Sequence, residues 1–441
     1  MSSAQALAEL SVLLRHRSSG GSELPAHWQE RLHSLLRSPA THSETMRLLR
    51  SLHFDGSAQP LDPAQARALY GEDVLSVSRL EEFAECAFKH FVNYGLRPHV
   101  LREWKVDPIE TGTFYHAGLN NFARLARREK CFPELPQERI DEMAEEAIAP
   151  LLEELMAGPM GDGDRSRARF EIARSAIRRA ARTITTHLAA GRFSIWRTEA
   201  SFGYEGGMPP IVLVLSDGRE IALRGRIDRI DRYDTPQSVY LRVIDYKSAQ
   251  LSLDASRTWW GLQLQLLLYL DVCTSAIPNA RPAGAFYFYV ADPLVESDTD
   301  IQTVVEDKLR EKFQLRGIAL SDVEILTAMD EGDIPCVLPS MHLKSGELRK
   351  TAKALDEQQF TALLQHARQT AAELAGRLFE GETRIFPTRE SSRTACDFCD
   401  FRSVCRFDPE APQAAVREVP SMSMEELREA LCPKEGQEEC K

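Results

Sequence analysis

The stretch GRIDRIDRYDTPQSVYLRVIDYKS, Gly225 to Ser248, decides how this chain is read. Two runs of alternating apolar residues flank a turn signal at Asp234, Thr235 and Pro236. The first run carries Ile221, Leu223, Gly225 and Ile227, and the second extends from Val239 to Tyr246. Period-2 alternation around such a turn predicts a β-hairpin. In a strand, residues i and i+2 share a face, so the Asp245 carboxylate and the Lys247 ammonium project together. Asp228, on the partner strand, supplies a second carboxylate to that neighbourhood. Two acidic ligands beside a lysine suit a hard cation such as Mg²⁺ or Mn²⁺ that polarises a phosphate and activates water. Taken alone, an Asp and a Lys in D-x-K spacing on an exposed strand are more often a solvated pair.

Outward from the hairpin, WRTEASFGY, PIVLVLS and EIALRGRIDRID read as strands before it, and GAFYFYV (Gly284 to Val290) as a buried strand after it. Glu199, in the first of these, has two readings: it faces the hairpin's carboxylates, or it sits on a strand surface. GLQLQLLLYLDVC is a nearly all-apolar helix in which Gln265 and Tyr269, four apart, share a face. A glutamine buried there needs a partner, structural or nucleic-acid. Further upstream, GTFYHAGLNNFARLARREK reads as an amphipathic helix with His116 near its start, a core histidine or a neutral imidazole ligand. An acidic helix covers residues 136 to 157. In RSRARFEIARSAIRRAARTITTHLAAGR, residues Phe170, Ala173, Ile177, Ile184 and Leu188 make an apolar stripe, while Arg167, Arg174, Arg178 and Arg182 fall on another side. Such a ridge is either a solvated face or a phosphate track. Helices followed by strands, a helix and a strand indicate a mixed α/β core with a helical appendage.

The flanks add a different chemistry. Residues 1 to about 70 read as short helices broken by loops, and LSVSRLEEFAECAFKHFVNYGL as an aromatic helix with Ser76 or Ser78 at its cap and Cys86 inside it. A lone cysteine in such a helix is usually a small core residue. A long helical region from Lys350 to Glu380 leads to Cys396, Cys399 and Cys405, spaced C-x2-C-x5-C. Three soft ligands within ten residues converge without long-range folding and form a strong metal signal. The loop needs a fourth ligand, for which Cys131, Cys273, Cys336, Cys432 and Cys440 are candidates. Ser423 opens a short capped helix near the end.

Composition bounds the class. The 441 residues, 43% apolar and 27% charged, are long enough for two or three domains of ordinary globular make-up. No run approaches the apolar length of a membrane span and the first residues lack a basic-then-apolar leader, which places the expected location in the cytoplasm. A net charge of −12 argues against indiscriminate nucleic-acid binding but leaves local basic tracks open. Nine cysteines without an export signal point to metal or redox use rather than disulfides.

Six segments, SVSRLEEFAECAFKHFVNYGL, GTFYHAGL, GRIDRID, VIDYKS, QLLLY and CDFCDFRSVC, stand in this order between residues 74 and 408. Together they resemble the RecB-like branch of the PD-(D/E)XK nucleases, most closely the C-terminal nuclease domain of AddB-type helicase-nuclease subunits. The resemblance implies a restriction-endonuclease-like α/β core, a mixed sheet flanked by helices, with helical appendages and an iron–sulfur staple. It implies Mg²⁺ or Mn²⁺ held by His116, Asp228, Asp245 and the backbone carbonyl of Tyr246, with Asp228, Asp245 and Lys247 catalytic. It places Gln265 and Tyr269 beside the site, with Arg174, Arg178 and Arg182 as the candidate DNA track. It makes Cys86 the fourth ligand, joining Cys396, Cys399 and Cys405 around a [4Fe-4S] cluster. The chain departs from the usual C-P-F context, having Cys86-Ala87-Phe88.

The resemblance further implies a metal-dependent deoxyribonuclease of double-strand break repair and recombination. It acts on linear duplex ends or single strands beside a helicase-nuclease partner of AddA type. No G-x-x-x-x-G-K-[ST] loop is present, so the chain is not expected to drive a helicase by itself. The expected division is a helical segment at 1–73, the nuclease domain at 74–408 and a tail at 409–441. Two rival readings are an iron–sulfur DNA-binding scaffold with an idle nuclease site and a stand-alone RecB-like exonuclease.

Overall fold

The hairpin forms as the alternation predicts: β4 (Glu220–Asp234) pairs antiparallel with β5 (Val239–Lys247), Asp234 opposite Val239 at the turn and Arg229 opposite Ile244 at the far end. It lies inside an eight-stranded mixed sheet. The other strands are β1 (Val74–Ser76), β2 (Ser194–Phe202), β3 (Ile211–Val214), β6 (Ala280–Tyr289), β7 (Arg316–Leu320) and β8 (Ala354–Leu355). The sheet runs β1-β4-β5-β6-β7-β8, with β2 and β3 also on β4. This computed structural model describes residues 2–18, 22–52, 59–71, 74–98, 108–157, 164–291, 302–332, 334–341, 349, 351–391, 393–409 and 414–432.

β4 changes neighbours along its length, and that creates the place for a site. Parallel β1 pairs with it only as far as Arg224, and β5 only from Arg229. Between these two partners, Gly225 to Ile227 pair with β2 alone. One edge of β4 is therefore open just before Asp228. Gly225 is required there by close packing: a Cβ would stand 2.7 Å from the Phe202 ring and 3.3 Å from the Tyr269 ring.

The chain divides into two compact units that interleave in sequence. One comprises Asp73–Glu81, His99–Gly376 and Pro420–Lys441, and holds the sheet. Its core is the strand interior, with Phe202, Ile227, Ile244, Phe286 and Phe288 almost wholly buried. The helix Pro108–Ala126 and the largely apolar helix Gln265–Ala276 pack on the sheet, and the first of these also packs on Gln137–Ala157 and Asp164–Ala189. Gly118 lets helices approach, since a Cβ there would meet the Ile177 side chain at 2.5 Å. The hairpin also carries a buried charge cluster. Asp231 binds Arg229 at 2.6 and 2.7 Å and Arg242 at 2.9 Å, an ion cluster that pairs three charges which could not otherwise leave water.

The other unit comprises Met1–Glu72, Glu82–Pro98 and Arg377–Val419. Its first helices, Ser3–Ser18, Ala26–Arg37 and His42–Leu52, share an apolar cluster built on Ala6, Leu10, Leu14, Trp28 and Leu35. It also holds a small three-stranded sheet of Thr388–Glu390, Arg393–Thr394 and Arg417–Glu418. The segment expected as one aromatic helix is divided. Helix Val77–Glu85 stops at Cys86, whose backbone is extended (φ −167°, ψ 116°), and a short helix Ala87–His90 and a π-turn Phe91–Leu96 follow.

Near the end, Ser423 forms the expected capping box with Glu426 on helix Met424–Leu431. Among the described residues, no helix is long and apolar enough to cross a membrane.

Candidate metal centre and cysteine hollow

His116, from helix Pro108–Ala126, reaches the open edge of β4, its Nδ1 lying 3.1 Å from Asp228 Oδ2. The β2–β4 register, Thr198 on Arg229 and Ala200 on Ile227, puts Glu199 opposite Asp228. Glu199 has a left-handed backbone (φ 48°), unusual for a residue with a side chain and a strain that clusters at functional sites. One donor atom from each of His116, Glu199 and Asp228 lies within 4.8 Å of the other two. Of the two readings of Glu199, the structure adopts the one that faces the carboxylates.

Asp228 also joins the strands, its Oδ2 accepting the Tyr246 N–H at 2.8 Å. Next to Tyr246, Asp245 and Lys247 project together as the i, i+2 rule requires, with Nζ 2.6 Å from Asp245 Oδ2. The Gln265 amide donates to Asp245 Oδ1 at 3.2 Å and to the Tyr269 hydroxyl at 3.2 Å, so both helix residues stand beside the carboxylate. Glu81, which no pattern in the sequence singles out, stands behind them. Its carboxylate accepts the backbone N–H groups of Leu264 (2.6 Å) and Gln265 (2.8 Å).

The electrostatics are those of crowded, buried carboxylates. Burial, then the Asp228 charge, lift Asp245 to about 6 against the pull of Lys247. Burial lifts Glu81 to about 7 although two amides favour its anion. Burial also raises Glu199, with Asp228 adding to it. For His116 burial works downward, but its hydrogen bond to Asp228 and that carboxylate's charge outweigh it and leave the imidazole raised. A divalent cation would offset the crowding at Asp245 and Glu199, and the donor set, hard oxygens with one imidazole, fits Mg²⁺ or Mn²⁺.

The arginine ridge is spent within its own helix pair. Arg174 Nε lies 2.7 Å from Glu145, Arg178 Nε 3.4 Å from the same carboxylate, and Arg182 Nε donates to Asp141 at 2.6 Å. These acids belong to the acidic helix Gln137–Ala157. The Arg167 side chain lies outside the described residues. Arg226 is instead the exposed cation at the metal centre, 3.4 Å from Glu199 and lining the same open groove as His116 and Asp228.

The second unit brings Cys86, Cys396, Cys399 and Cys405 around one small hollow, lined also by Phe88, Ile385, Pro387 and Phe401. All four are free thiols. The break at Cys86 turns that residue out of its helix. Backbone N–H groups serve the sulfurs: those of Lys89, Phe386 and Phe88 at Cys86, that of Phe401 at Cys399, and that of Phe407, 3.5 Å away, at Cys405. Burial raises Cys86 and Cys399 and pushes Cys396 up to about 11, so bare thiols would stay protonated at neutral pH. Four converging sulfurs with N–H donors fit a thiolate-bound metal or cluster, which would take up the charge that the hollow otherwise resists. The other candidates for fourth ligand are placed elsewhere: Cys273 is sealed in the apolar helix, Cys336 lies beside Asp330, and Cys131 and Cys432 are exposed. Cys440 lies outside the described residues.

The chain is similar to three curated proteins, each the B-type subunit of an ATP-dependent helicase/deoxyribonuclease. The one from Alkaliphilus oremlandii is 33% identical over 87% of this chain and 34% of its own length. That from Moorella thermoacetica is 36% identical over 90% and 35%, and that from Geobacillus kaustophilus 32% identical over 88% and 34%. The chain thus spans about a third of the length of the curated relatives it matches. The family model described as the PD-(D/E)XK nuclease superfamily matches residues 74–406, from β1 through the last cysteine of the hollow. This chain belongs to the PD-(D/E)XK nuclease superfamily.

Proposed function

We propose that the chain hydrolyses DNA phosphodiesters as the nuclease part of an AddB-type helicase-nuclease, working in the cytoplasm in double-strand break repair beside an AddA-type partner. The observation that carries this is the convergence of His116, Glu199 and Asp228 at the open edge of β4, with the Asp245–Lys247 pair on the adjoining strand β5. His116, Asp228, Asp245 and the Tyr246 carbonyl would hold Mg²⁺ or Mn²⁺, and Glu199 joins that set. The bound ion supplies a polarised phosphate and a water of lowered pKa. Lys247, fixed against Asp245, orients the attacking water or stabilises charge growing on the phosphate. Gln265 holds the other oxygen of Asp245 and so limits its rotation. We assign the arginines of helix Asp164–Ala189 a structural role and give the first phosphate contact to Arg226.

The four cysteines would hold a [4Fe-4S] cluster that ties residue 86 to residues 396–405. Cross-linking a loop of roughly 310 residues is worth up to about 6 kcal/mol by chain-entropy reasoning. Residues 1–73, 74–408 and 409–441 are proposed as docking segment, nuclease domain and tail. Cleavage of linear duplex and single-stranded DNA by the purified chain, with Mg²⁺ and then with chelator, tests the reading. Mg²⁺-dependent cutting supports it, and DNA binding without cutting would favour the idle scaffold.

A further inference from the structure

Glu81 touches none of the proposed metal ligands, yet it is built into their support. Helix Gln265–Ala276 opens on Leu264, a residue with no capping side chain. The first amides of a helix have no partner within it and are ordinarily met by a local Ser, Thr, Asp or Asn. Here the Glu81 carboxylate, 183 residues earlier in the chain, accepts from Leu264 N at 2.6 Å and Gln265 N at 2.8 Å. A negative charge at a helix N-terminus also answers the helix dipole. The residue so fixed is the one whose side chain donates to Asp245 Oδ1 at 3.2 Å. Asp245 Oδ2 is taken by Lys247 at 2.6 Å.

We infer that Glu81 is a positioning residue of the nuclease site, clamping the first turn of this helix so that Gln265 holds the Asp245 carboxylate in one orientation. Without the clamp the first turn frays, the Gln265 amide leaves Asp245, and the carboxylate rotates between orientations of which few suit a metal. The inference rests on the proposed metal site, and one of its readouts does not need cleavage.

The experiment compares Glu81→Ala, Glu81→Gln, Gln265→Ala and the Glu81→Ala/Gln265→Ala pair by Mn²⁺ affinity, kcat and KM for DNA. Glu81→Ala should weaken Mn²⁺ binding and lower kcat by about 10- to 100-fold, the range for partners that orient metal ligands. KM should stay within about twofold, since no substrate contact is lost. Glu81→Gln keeps an oxygen that accepts from both amides and should recover most of the loss. In the Gln265→Ala background, removing Glu81 should cost little more, because the two act in one chain of contacts. Wild-type Mn²⁺ affinity and kcat in Glu81→Ala, or losses that simply add in the pair, would overturn the inference. Should Glu81→Ala fail to fold, Glu81→Asp withdraws the acceptor by one methylene, with the same expectations and the same refutations. A wild-type chain that binds Mn²⁺ but cuts no DNA defeats the nuclease reading, while the Mn²⁺ comparison still decides the role of Glu81.

Discussion

The metal centre and the cysteine hollow are assembled in opposite ways. At the centre, hard donors arrive on rigid elements: Asp228 on β4, Asp245 and Lys247 on β5, Glu199 on β2 and His116 on a helix packed against them. Strand pairing and helix packing together hold donor atoms of His116, Glu199 and Asp228 within 4.8 Å of one another, the kind of support a metal site needs. At the hollow, three soft donors come from one short stretch that ends in the helix Arg402–Cys405, and the fourth comes from a break in a helix. A cluster there would link segments that are far apart in sequence. On the reading proposed above, the first site would act on a substrate, whereas a cluster bound at the second would tie residue 86 to residues 396–405.

The sharpest break of this contrast is Asp228→Asn. It keeps an acceptor for the Tyr246 N–H and removes a carboxylate, so cleavage should fall by about 10³-fold or more while the melting temperature stays near wild type. A variant that melts far earlier would mean that Asp228 serves the fold. Cys86→Ala should do the reverse, losing the broad visible absorption of a cluster and up to about 6 kcal/mol of stability by the loop-closure argument. Unchanged absorption and melting there would remove Cys86 from the hollow's chemistry. Glu199→Gln should lower kcat by about 10- to 100-fold, with recovery at high Mn²⁺ if the loss is one of metal affinity.

The smallest effect is in pH. Asp245 and Glu81 ionise at about 6 and about 7 in the folded chain, above their ordinary carboxylate values. The folded chain therefore holds protons that the unfolded chain has released. The stability this contributes is complete below about pH 4 and is lost as pH rises through 6 to 7. Relative to Asp245→Asn and Glu81→Gln, metal-free wild type should show that decline in denaturant melts, and Mg²⁺ should reverse it for Asp245. A wild-type stability that rises relative to these variants between pH 5 and 7 would contradict these placements.

Legibility in the sequence follows the same division. The hairpin, the Asp245–Lys247 pair and the Gln265–Tyr269 face depend on periods of two and four residues, which a sequence displays directly. The spacing of Cys396, Cys399 and Cys405 is local too. Cys86 reads by itself as a small core residue because nothing nearby marks the extended backbone that turns it outward. Glu199 depends on a register and on a left-handed φ that alternation does not encode. Glu81 has no local signal, being one charge in a charged helical turn whose partners lie 183 residues on. The partners of the arginine ridge are not legible locally because its acids sit on another helix. The complementary spacing of Asp141 and Glu145 with Arg182, Arg178 and Arg174 is the available clue.

The most direct test of this division of labour is Asp245→Ala in protein purified without oxygen, measured for colour, melting and Mg²⁺-dependent cleavage of linear DNA. The account predicts wild-type absorption, a melting temperature equal to or above wild type because a crowded buried carboxylate is gone, and no cleavage above background. Retained Mg²⁺-dependent cleavage, or loss of the cluster's absorption together with activity, would contradict it.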